Sequence, residues 1–359
     1  MDLLWGAWGA WGLSVVPPLA LLLDLWLGDP RGLPHPVCGV GRLLRRAEAM
    51  ARRYADGLPE GERPAALRRA GLLAVVAVAG GVALVVWGLV RLPVLRPWLG
   101  VLIAVYFAWA GLALGSLLRE GRRTLHAIEH GTLDEARTAV AMLVSRDTAQ
   151  LDRADLRRAL VETLAENFND GFVAPLFWLL LGGPAGLWGY KTVSTMDSMW
   201  GYRTDRWRDL GRACARLDDV LAWLPARLSA LFLWLSAPLV LKDGGHGGWQ
   251  GFGPMASDAR SMESPNAGWP MSAAAWLHGA PMGGPTPYFG VVKHKPVLGP
   301  RPDANTGGAA GADACGLTPA PATAWDAERL EGLLRHLRMA GLAAAGCLWS
   351  VALLLRLVA

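Results

Sequence analysis

Two long apolar runs, at residues 72–90 and 98–118, constrain the fold of this chain more than any other feature. At the rise of an α-helix, each run is about as long as the hydrocarbon core of a bilayer is thick. Backbone polar groups inside hydrocarbon must find hydrogen bonds within their own segment, so runs of this kind fold as helices. The chain is 53% hydrophobic, which favours an integral membrane protein over a soluble one.

Three further apolar segments complete the predicted membrane region, namely residues 13–27, 220–241 and 340–358, the last preceded by a short amphipathic helix. The sequence therefore predicts an all-α fold, a polytopic helical membrane protein with about five spanning helices joined by cytosolic helices and loops. The arginine-rich loop 28–71 is predicted to be cytosolic because cytosolic loops carry an excess of Lys and Arg. The N-terminus is then expected outside.

Residues 172–190 are apolar enough to cross a bilayer, but they contain Pro175, Pro184 and a Gly-Gly pair. A spanning helix here would place the basic loop that follows it outside, against the charge rule. We therefore predict a re-entrant hairpin, which would return the chain to the cytosolic side and keep Glu166 and Asp170 on the same side of the membrane as Asp197.

The same patterns divide the chain into four consecutive segments. These are residues 1–118, with N-terminal membrane helices and a basic cytosolic loop; 119–301, a catalytic helical region; 302–325, a flexible low-complexity insert; and 326–359, an amphipathic and membrane helix. Low-complexity Gly, Ala and Pro content is the reason for the third assignment.

Helix ends in the catalytic region are predicted from capping chemistry. Thr132 or Asp134 can cap the helix that follows Gly131, and Asp152 or Asp155 the next one. The Asp170-Gly171 pair has the composition of a helix stop.

Ionisable residues are dense between Ser145 and Arg227, which hold eleven acidic and eleven basic side chains beside apolar runs. Charges near hydrocarbon are costly, so such a set predicts a functional site. Glu162, Glu166 and Asp170 follow at four-residue spacing and would share one helix face if the helix continues through them. That face suits Mg²⁺ or a substrate amine. The alternative is a solvated face on which Arg158 pairs with Glu162.

The run TMDSMWGYR places Asp197 six residues after Lys191 and six before Arg203. Two cations around one carboxylate suit a phosphate with its metal, although a surface loop capped by Asp197 is equally compatible. The doublet Asp218-Asp219 follows Arg212 and Arg216 at helical spacing, which favours a structural ladder of ion pairs.

Four further features have a structural and a functional interpretation each. Arg227, inside an apolar run, can pair with the Asp218-Asp219 doublet or hold an anionic substrate. Two Pro- and Gly-rich turns, Ser264–Pro270 and Gly283–Gly290, can direct backbone N–H groups at an anion or merely connect helices. His35, in a Pro-rich loop, is by default a structural histidine.

Taken together, these stretches closely resemble the CobD/CbiB family, the membrane-bound adenosylcobinamide-phosphate synthases of cobalamin biosynthesis. The matching runs are GDPRGLPHPVCGVGRL, SRDTAQL, ETLAENFNDGFVAPLFW, GGPAGLWGYKTVSTMDSMWGYR, GRACARLDDVLAWLPARL, DARSMESPNAGWPMSAAA and GGPTPYFG. Two positions depart from the family pattern: Ser194 stands where an amide is usual, and Met271 where an acidic residue is usual. The first departure bears on a side-chain contact at 194 and the second on a carboxylate at 271, and neither removes the assignments of Asp197 or Asn266.

The resemblance implies an ATP-dependent acid–amine ligase with Mg²⁺ and ATP. It would join a propionate carboxylate of adenosylcobyric acid to aminopropanol or its phosphate. On this hypothesis Glu166, Asp170 and Asp197 bind Mg²⁺–ATP, Lys191 and Arg203 hold phosphates, and Glu162 faces the amine. The residues expected to contact substrates are His35, Arg146, Asn167, Arg203, Arg227, Ser264, Asn266 and Gly268.

The expected location is the cell inner membrane, with the active site on the cytosolic face. The expected partners are these small molecules, membrane lipid and candidate fellow enzymes of cobalamin biosynthesis, with no nucleic acid. Two other functions remain compatible with buried charges at a bilayer: a Mg²⁺-dependent phosphotransferase acting on aminoalcohol head groups, and a transporter.

Overall fold

The computed structural model describes residues 9–29, 35–91, 97–241, 245, 248–288, 291–301 and 324–358. The helices are α1 Gly9–Leu27, α2 Pro36–Asp56, α3 Arg63–Ala74, α4 Gly80–Arg91, α5 Pro97–Gly111, α6 Leu114–His130, α7 Leu133–Ala141, α8 Arg153–Phe168, α9 Ala174–Trp200, α10 Arg212–Leu221, α11 Trp223–Val240, α12 Phe252–Ser261, α13 Gly268–His278 and α14 Ala327–Val358. Two strands, β1 Met282–Tyr288 and β2 Val291–Leu298, two π-helical turns, Val75–Ala79 and Asn169–Val173, and a 3₁₀ turn, Gly248–Gly251, complete the described elements. The predicted insert, apart from Ala324 and Trp325, lies outside the described residues.

Within the described residues, five helices are long and apolar enough to cross a membrane, which confirms the predicted polytopic helical protein. They cover Arg63–Arg91, Trp98–His130, Arg153–Trp200, Trp223–Val240 and Ala327–Val358, and a shorter apolar helix covers Gly12–Leu27. The end of the chain differs from the prediction, because the expected amphipathic helix and final span form one continuous helix, α14.

Local capping chemistry sets two helix starts as predicted. The Thr132 side chain accepts a hydrogen bond from the Glu135 N–H while Glu135 reaches back to the Thr132 backbone, a complete capping box. The Asp152 side chain caps α8 by accepting from the Asp155 N–H.

The predicted helix stop at Asp170-Gly171 is wrong. Asn169–Val173 form a π-helical turn that leads directly from α8 into α9. Among the described residues Gly171 is not one of the glycines with positive φ, the conformation that a helix-ending glycine would adopt.

The long apolar segment α9 is broken in its middle. Gly183 has φ 63° and ψ −164°, outside the helical region, and Pro184 follows it. Beyond the break the chain turns back on itself, since a Cβ at Gly186 would lie 2.8 Å from the Trp178 carbonyl oxygen. In a straight helix these two positions would be about two turns apart. The segment is therefore a helical hairpin, as the Pro and Gly content predicted.

The chain forms two compact units, each discontinuous in sequence. The first comprises Met1–Ser116, Asp170–Trp223 and Ala345–Ala359; the second comprises Leu117–Asn169 and Leu224–Ala344.

In the first unit, α9 is the central element and packs against α4, α5 and α10. Two indole N–H groups hold it in place. Trp188 Nε1 donates to the Phe107 carbonyl at 2.8 Å, and Trp178 Nε1 donates to the Leu221 carbonyl at 3.1 Å. Because buried polar groups are costly unless they are hydrogen-bonded, these contacts fix the two arms of the hairpin in position.

In the second unit, α8 and α12 pack against α13, and the antiparallel pair β1–β2 contacts α8, α12 and α13. This hairpin was not predicted, because the Gly- and Pro-rich run from Gly283 to Gly290 indicated only a turn. Gly283 and Gly284 adopt φ of 84° and 82° at an irregularity in the strand pairing, which explains the glycines. Proline is tolerated in β1 because the sheet has only two strands and both are edge strands.

Candidate functional site

Three carboxylates of the first unit interact with one another. Asp218 on α10 is affected by the charges of Asp170, in the π-helical turn, and Asp197, near the end of α9. Burial, together with these charges and that of Asp219, raises the pKa of Asp218 to about 9. Its Oδ1 atom is buried and has no hydrogen-bond partner among the described residues. A cation placed beside Asp218 would offset the repulsion by the neighbouring carboxylates and would give the Oδ1 atom a partner.

The α9 hairpin is what brings Asp170 and Asp197 to a common neighbour. A straight helix would separate these two positions by about 40 Å. Instead, both charges act on Asp218 and on the buried phenol of Tyr190. This confirms the prediction that the apolar segment returns the chain and does not separate Asp170 from Asp197.

Lys191 adds a cation to this cluster. It follows Tyr190 directly and interacts with Asp170 and with two N-terminal acids, Asp24 and Asp29. Asp24 is completely buried and accepts a hydrogen bond from the Gly115 N–H at 2.9 Å. The ammonium therefore lies among carboxylates from two separate parts of the sequence.

His35 belongs to the same cluster, and its contacts are mainly structural. It caps α2, because its Nδ1 atom accepts from the Val37 N–H at 3.2 Å, and its ring lies 6.4 Å from that of Trp188. Its Nε2 atom is 3.8 Å from Asp29. Burial lowers the pKa of His35, Asp29 opposes that change, and Lys191 adds to it. The imidazole is therefore neutral at pH 7.

The predicted ladder of ion pairs on α10 is wrong for Asp218. Within the part of the chain that the structure describes, Asp218 forms no ion pair with Arg212 or Arg216. Burial also raises the pKa of Asp219, and the nearby Arg203 partly opposes this. Asp218 thus belongs to the acidic cluster, because the charges of Asp170 and Asp197 act on it.

In the second unit, Glu162 is buried and fully engaged. It is 1% exposed, forms an ion pair with Arg146, and accepts from the Gly283 N–H at 2.8 Å. The alternative pairing of Glu162 with Arg158 is wrong, since Arg158 bonds to Asp155 at 2.7 Å. Arg146 and Glu162 hold the β1–β2 hairpin against α8, and both side chains are buried, so the alternative of a solvated face at Glu162 is wrong.

Glu166 and Asn167 are exposed at the end of α8. The charge of Glu166 interacts with Lys295, Glu162 and Arg146, and the Asn167 amide donates to Thr163 Oγ1 at 3.2 Å. The second unit therefore has a polar surface of its own, to which the β2 lysine contributes.

The Ser264 turn differs from the prediction that it offers N–H groups to an anion. Its Asn266 and Ala267 N–H groups both donate to Ser264 Oγ, each at 3.3 Å. Asn266 is buried at 5% exposure. Gly268 serves helix packing, because a Cβ there would collide with the Ala259 carbonyl.

Arg227 stacks over the Trp269 ring at 4.7 Å, and Arg260 is close enough to repel its charge. A cation–π contact of this kind orients the guanidinium without neutralising it. The prediction that Arg227 holds an anion stays a prediction.

Among the described residues, no group of three or more His, Cys, Asp or Glu side chains is close enough together to hold a metal ion. Mg²⁺, however, is commonly bound by one or two carboxylates together with substrate phosphates. Asp218 and its neighbours fit a shared site of that kind, because they are hard oxygen donors and one of their oxygens lacks a partner.

Several residues of the cluster were missed from the sequence. Asp24 and Asp29 lie near the N-terminus, and Asp29 falls within the run GDPRGLPHP that carried the resemblance. Tyr190 directly precedes the predicted Lys191. For the adjacent acids at 218 and 219, helical spacing predicts ion pairs within their own helix and gives no sign of Asp170 or Asp197. An acid inside an apolar segment, as Asp24 is, was the signal available for the first of these.

Comparison with known proteins places this arrangement in context. A sequence model described as "CobD/Cbib protein" matches residues 17–316. "Cobalamin biosynthesis protein CobD" of Pelobacter propionicus is 42% identical over 78% of this chain and 83% of its own length. The protein of the same name in Klebsiella pneumoniae is 40% identical over 78% and 85%, and "Cobalamin biosynthesis protein CbiB" of Salmonella typhimurium is 38% identical over 78% and 85%. No solved structure matches.

Proposed function

From the premise that this chain belongs to the CobD/CbiB family of cobalamin biosynthesis proteins, we propose that it is an ATP-dependent amide synthase. Its substrates would be the propionate carboxylate of adenosylcobyric acid and the amine of aminopropanol or its phosphate. The product would be adenosylcobinamide or its phosphate. The reaction would take place at the cytosolic face of the inner membrane.

The chemistry requires activation of the carboxylate, because a carboxylate is a poor acyl donor. Its oxygen attacks the γ-phosphorus of ATP, giving an acyl phosphate and ADP. The neutral amine then attacks the acyl carbon, phosphate leaves, and the amine loses a proton to a nearby base. Positioning and charge stabilisation supply most of the rate in such steps.

The acidic cluster of the first unit supplies the groups that these steps need. One or two of the carboxylates of Asp197, Asp170 and Asp218 would hold Mg²⁺ together with the phosphates. The metal, when bound, would neutralise phosphate charge. Before metal binding, the raised pKa of Asp218 keeps its carboxyl protonated at pH 7, so metal binding would release a proton.

Lys191 would bind phosphate oxygens, and the Asp24 and Asp29 carboxylates would hold its ammonium in place. Arg203 would also bind phosphate oxygens. The amine needs a base, and Glu162 is unsuited because Arg146 and the Gly283 N–H occupy it. Asp219 is the better candidate, since burial raises its pKa toward the range in which a carboxylate accepts protons effectively.

One observation carries this proposal: the hairpin gathers Lys191, Asp170, Asp197 and Asp218 from distant parts of the sequence into one electrostatically coupled cluster. A phosphotransferase acting on lipid head groups could use the same acids with Mg²⁺, and it is distinguished by its product, which would contain no new amide bond. A transporter would not need an ATP-activated carboxylate.

The test is the variant Asp197→Asn, assayed in detergent with adenosylcobyric acid, ATP, Mg²⁺ and aminopropanol phosphate. We expect product formation to fall at least 100-fold while the protein still folds, because the neutral amide cannot serve the metal. The matched control is Asp205→Asn on the following loop, where the side chain is fully exposed. Amide formation at the unmodified rate by Asp197→Asn would refute the assignment.

A further inference from the structure

A cavity of about 480 Å³ in the first unit is lined by arginines. It lies among the start of α3, the end of α9, the loop 201–211 and α10. Five guanidinium groups face it: Arg68, Arg203, Arg208, Arg212 and Arg216. Its volume is that of a site for a molecule of drug or nucleotide size.

The lining carries an excess of positive charge. Only two acids, Asp209 and Asp219, line it with the five arginines. Asp209 is 3.5 Å from Arg68 and offsets that guanidinium. Arg212 and Arg216, one helical turn apart on α10, form no ion pair within the described part of the chain. Uncompensated arginines in a concave site favour a ligand with several negative charges.

Aromatic side chains form one rigid wall of the cavity. The Trp200 and Trp207 rings stack at 6.5 Å with an interplanar angle of 15°. Arg52 and Arg206 cover Trp207, at 5.0 and 4.9 Å from its ring centre. The buried indole N–H of Trp200 has no acceptor among the described residues.

The cavity adjoins the acidic cluster through two residues. Asp219 lines it and is the neighbour of Asp218 in sequence. Gly201 lines it too and packs directly on the Asp197 carboxylate, since a Cβ at 201 would collide with that group. A ligand in the cavity could therefore extend one end toward Asp197 and Asp218.

We infer that this cavity is the nucleotide site, in which the arginines of α10 and the 201–211 loop bind the phosphates of a nucleoside triphosphate. The inference rests on the proposed function and adds the location of the nucleotide. Of the two phosphate-bearing substrates, the triphosphate carries more negative charge and is the larger. Five guanidinium groups and a cavity of this volume suit it better than a small phosphomonoester.

The experiment measures binding and not turnover. The full chain in detergent is titrated with a non-hydrolysable ATP analogue, followed by calorimetry, and separately with aminopropanol phosphate and with inorganic phosphate. The variants are Arg212→Ala, Arg216→Ala and their double. The matched control is Arg69→Ala, an exposed arginine on α3 that does not line the cavity.

We expect each single variant to weaken binding of the analogue by about tenfold or more, and the double by more than either, because each loses a charge-assisted hydrogen bond to phosphate. Arg69→Ala should bind as the unmodified chain does. Unchanged analogue affinity in the double variant would overturn the inference. So would loss of aminopropanol phosphate binding alone, which would identify the cavity as the site of the monoester.

Anionic lipid is tested by repeating the titration in detergent containing phosphatidylglycerol. Competition that abolishes analogue binding in the unmodified chain would overturn the nucleotide assignment in favour of a lipid head group. These outcomes can be distinguished from a failure of the proposed function. If nucleotide binds in the cavity but no amide forms, the amide synthase proposal fails while the inference about the binding site holds.

Discussion

Replacing Asp218 by Asn should stabilise the protein while removing its activity. The pKa of Asp218 is raised from 3.8 to about 9 by burial and by neighbouring carboxylates. At pH 7 the folded chain must therefore keep a proton that the unfolded chain has released. Over the interval from 3.8 to 7 this costs on the order of 4 kcal/mol. Because Asp218 is only half-buried, water screens part of the cost, and we expect a gain on the order of 2 kcal/mol.

The sign of the pH dependence follows from the same shift. Between about pH 4 and pH 9 the unfolded state binds fewer protons at this position than the folded state, so the stability of the unmodified chain falls as pH rises through that window. The amide side chain of the Asp218→Asn variant does not ionise, so the variant does not lose stability in this way as the pH rises. The advantage of Asp218→Asn should be near zero at pH 4 and largest near pH 9.

Thermal unfolding of the purified protein in detergent, followed by intrinsic tryptophan fluorescence from pH 4 to pH 9, measures this difference. Asp205→Asn is the control, because its side chain is fully exposed and should show no pH-dependent gain. Adding Mg²⁺ with an ATP analogue should stabilise the unmodified chain and not Asp218→Asn, since ligand that binds only the folded state adds to its stability. A variant less stable than the unmodified chain at every pH would refute the account of Asp218.

Two further predictions concern residues that support the sites. Glu162→Gln leaves Arg146 buried without its counter-ion and should lower the unfolding free energy by about 3–5 kcal/mol. The control Asp155→Asn breaks a more exposed ion pair and should lower it by about 1 kcal/mol or less. Equal losses of unfolding free energy in chemical denaturation would contradict the buried-pair interpretation. Gly201→Ala should displace the Asp197 carboxylate and reduce the rate of amide formation at least tenfold. The control Gly88→Ala has open space at its Cβ and should leave that rate unchanged. Full activity in Gly201→Ala would show that Asp197 need not be held in place.

Local chemistry was enough to predict several elements. Thr132 and Asp152 are caps because their side chains bond to N–H groups three residues away, a contact that no distant residue alters. The α9 hairpin was predictable from Pro184, its glycines and the charge of the flanking loops. Both kinds of signal are contained within one short segment.

Contacts between distant segments could not be predicted from the sequence. Glu162 owes its burial and its bond to Gly283 to a strand more than a hundred residues away, and the prolines of that strand argued against a strand at all. Asp218 was assigned to an ion-pair ladder because only its own helix was visible, whereas its pKa depends on Asp170 and Asp197. The division into four consecutive segments stays a prediction.

The central claim is that the cluster around Lys191 and Asp197 drives amide formation with ATP. It is tested most directly by incubating the purified unmodified protein with adenosylcobyric acid, aminopropanol phosphate, Mg²⁺ and ATP, and measuring ADP and amide product together. The account predicts one ADP for each amide formed. Without adenosylcobyric acid, neither ADP nor amide should form. Formation of amide without ATP would contradict the account. So would the absence of amide when the folded protein is assayed under these conditions.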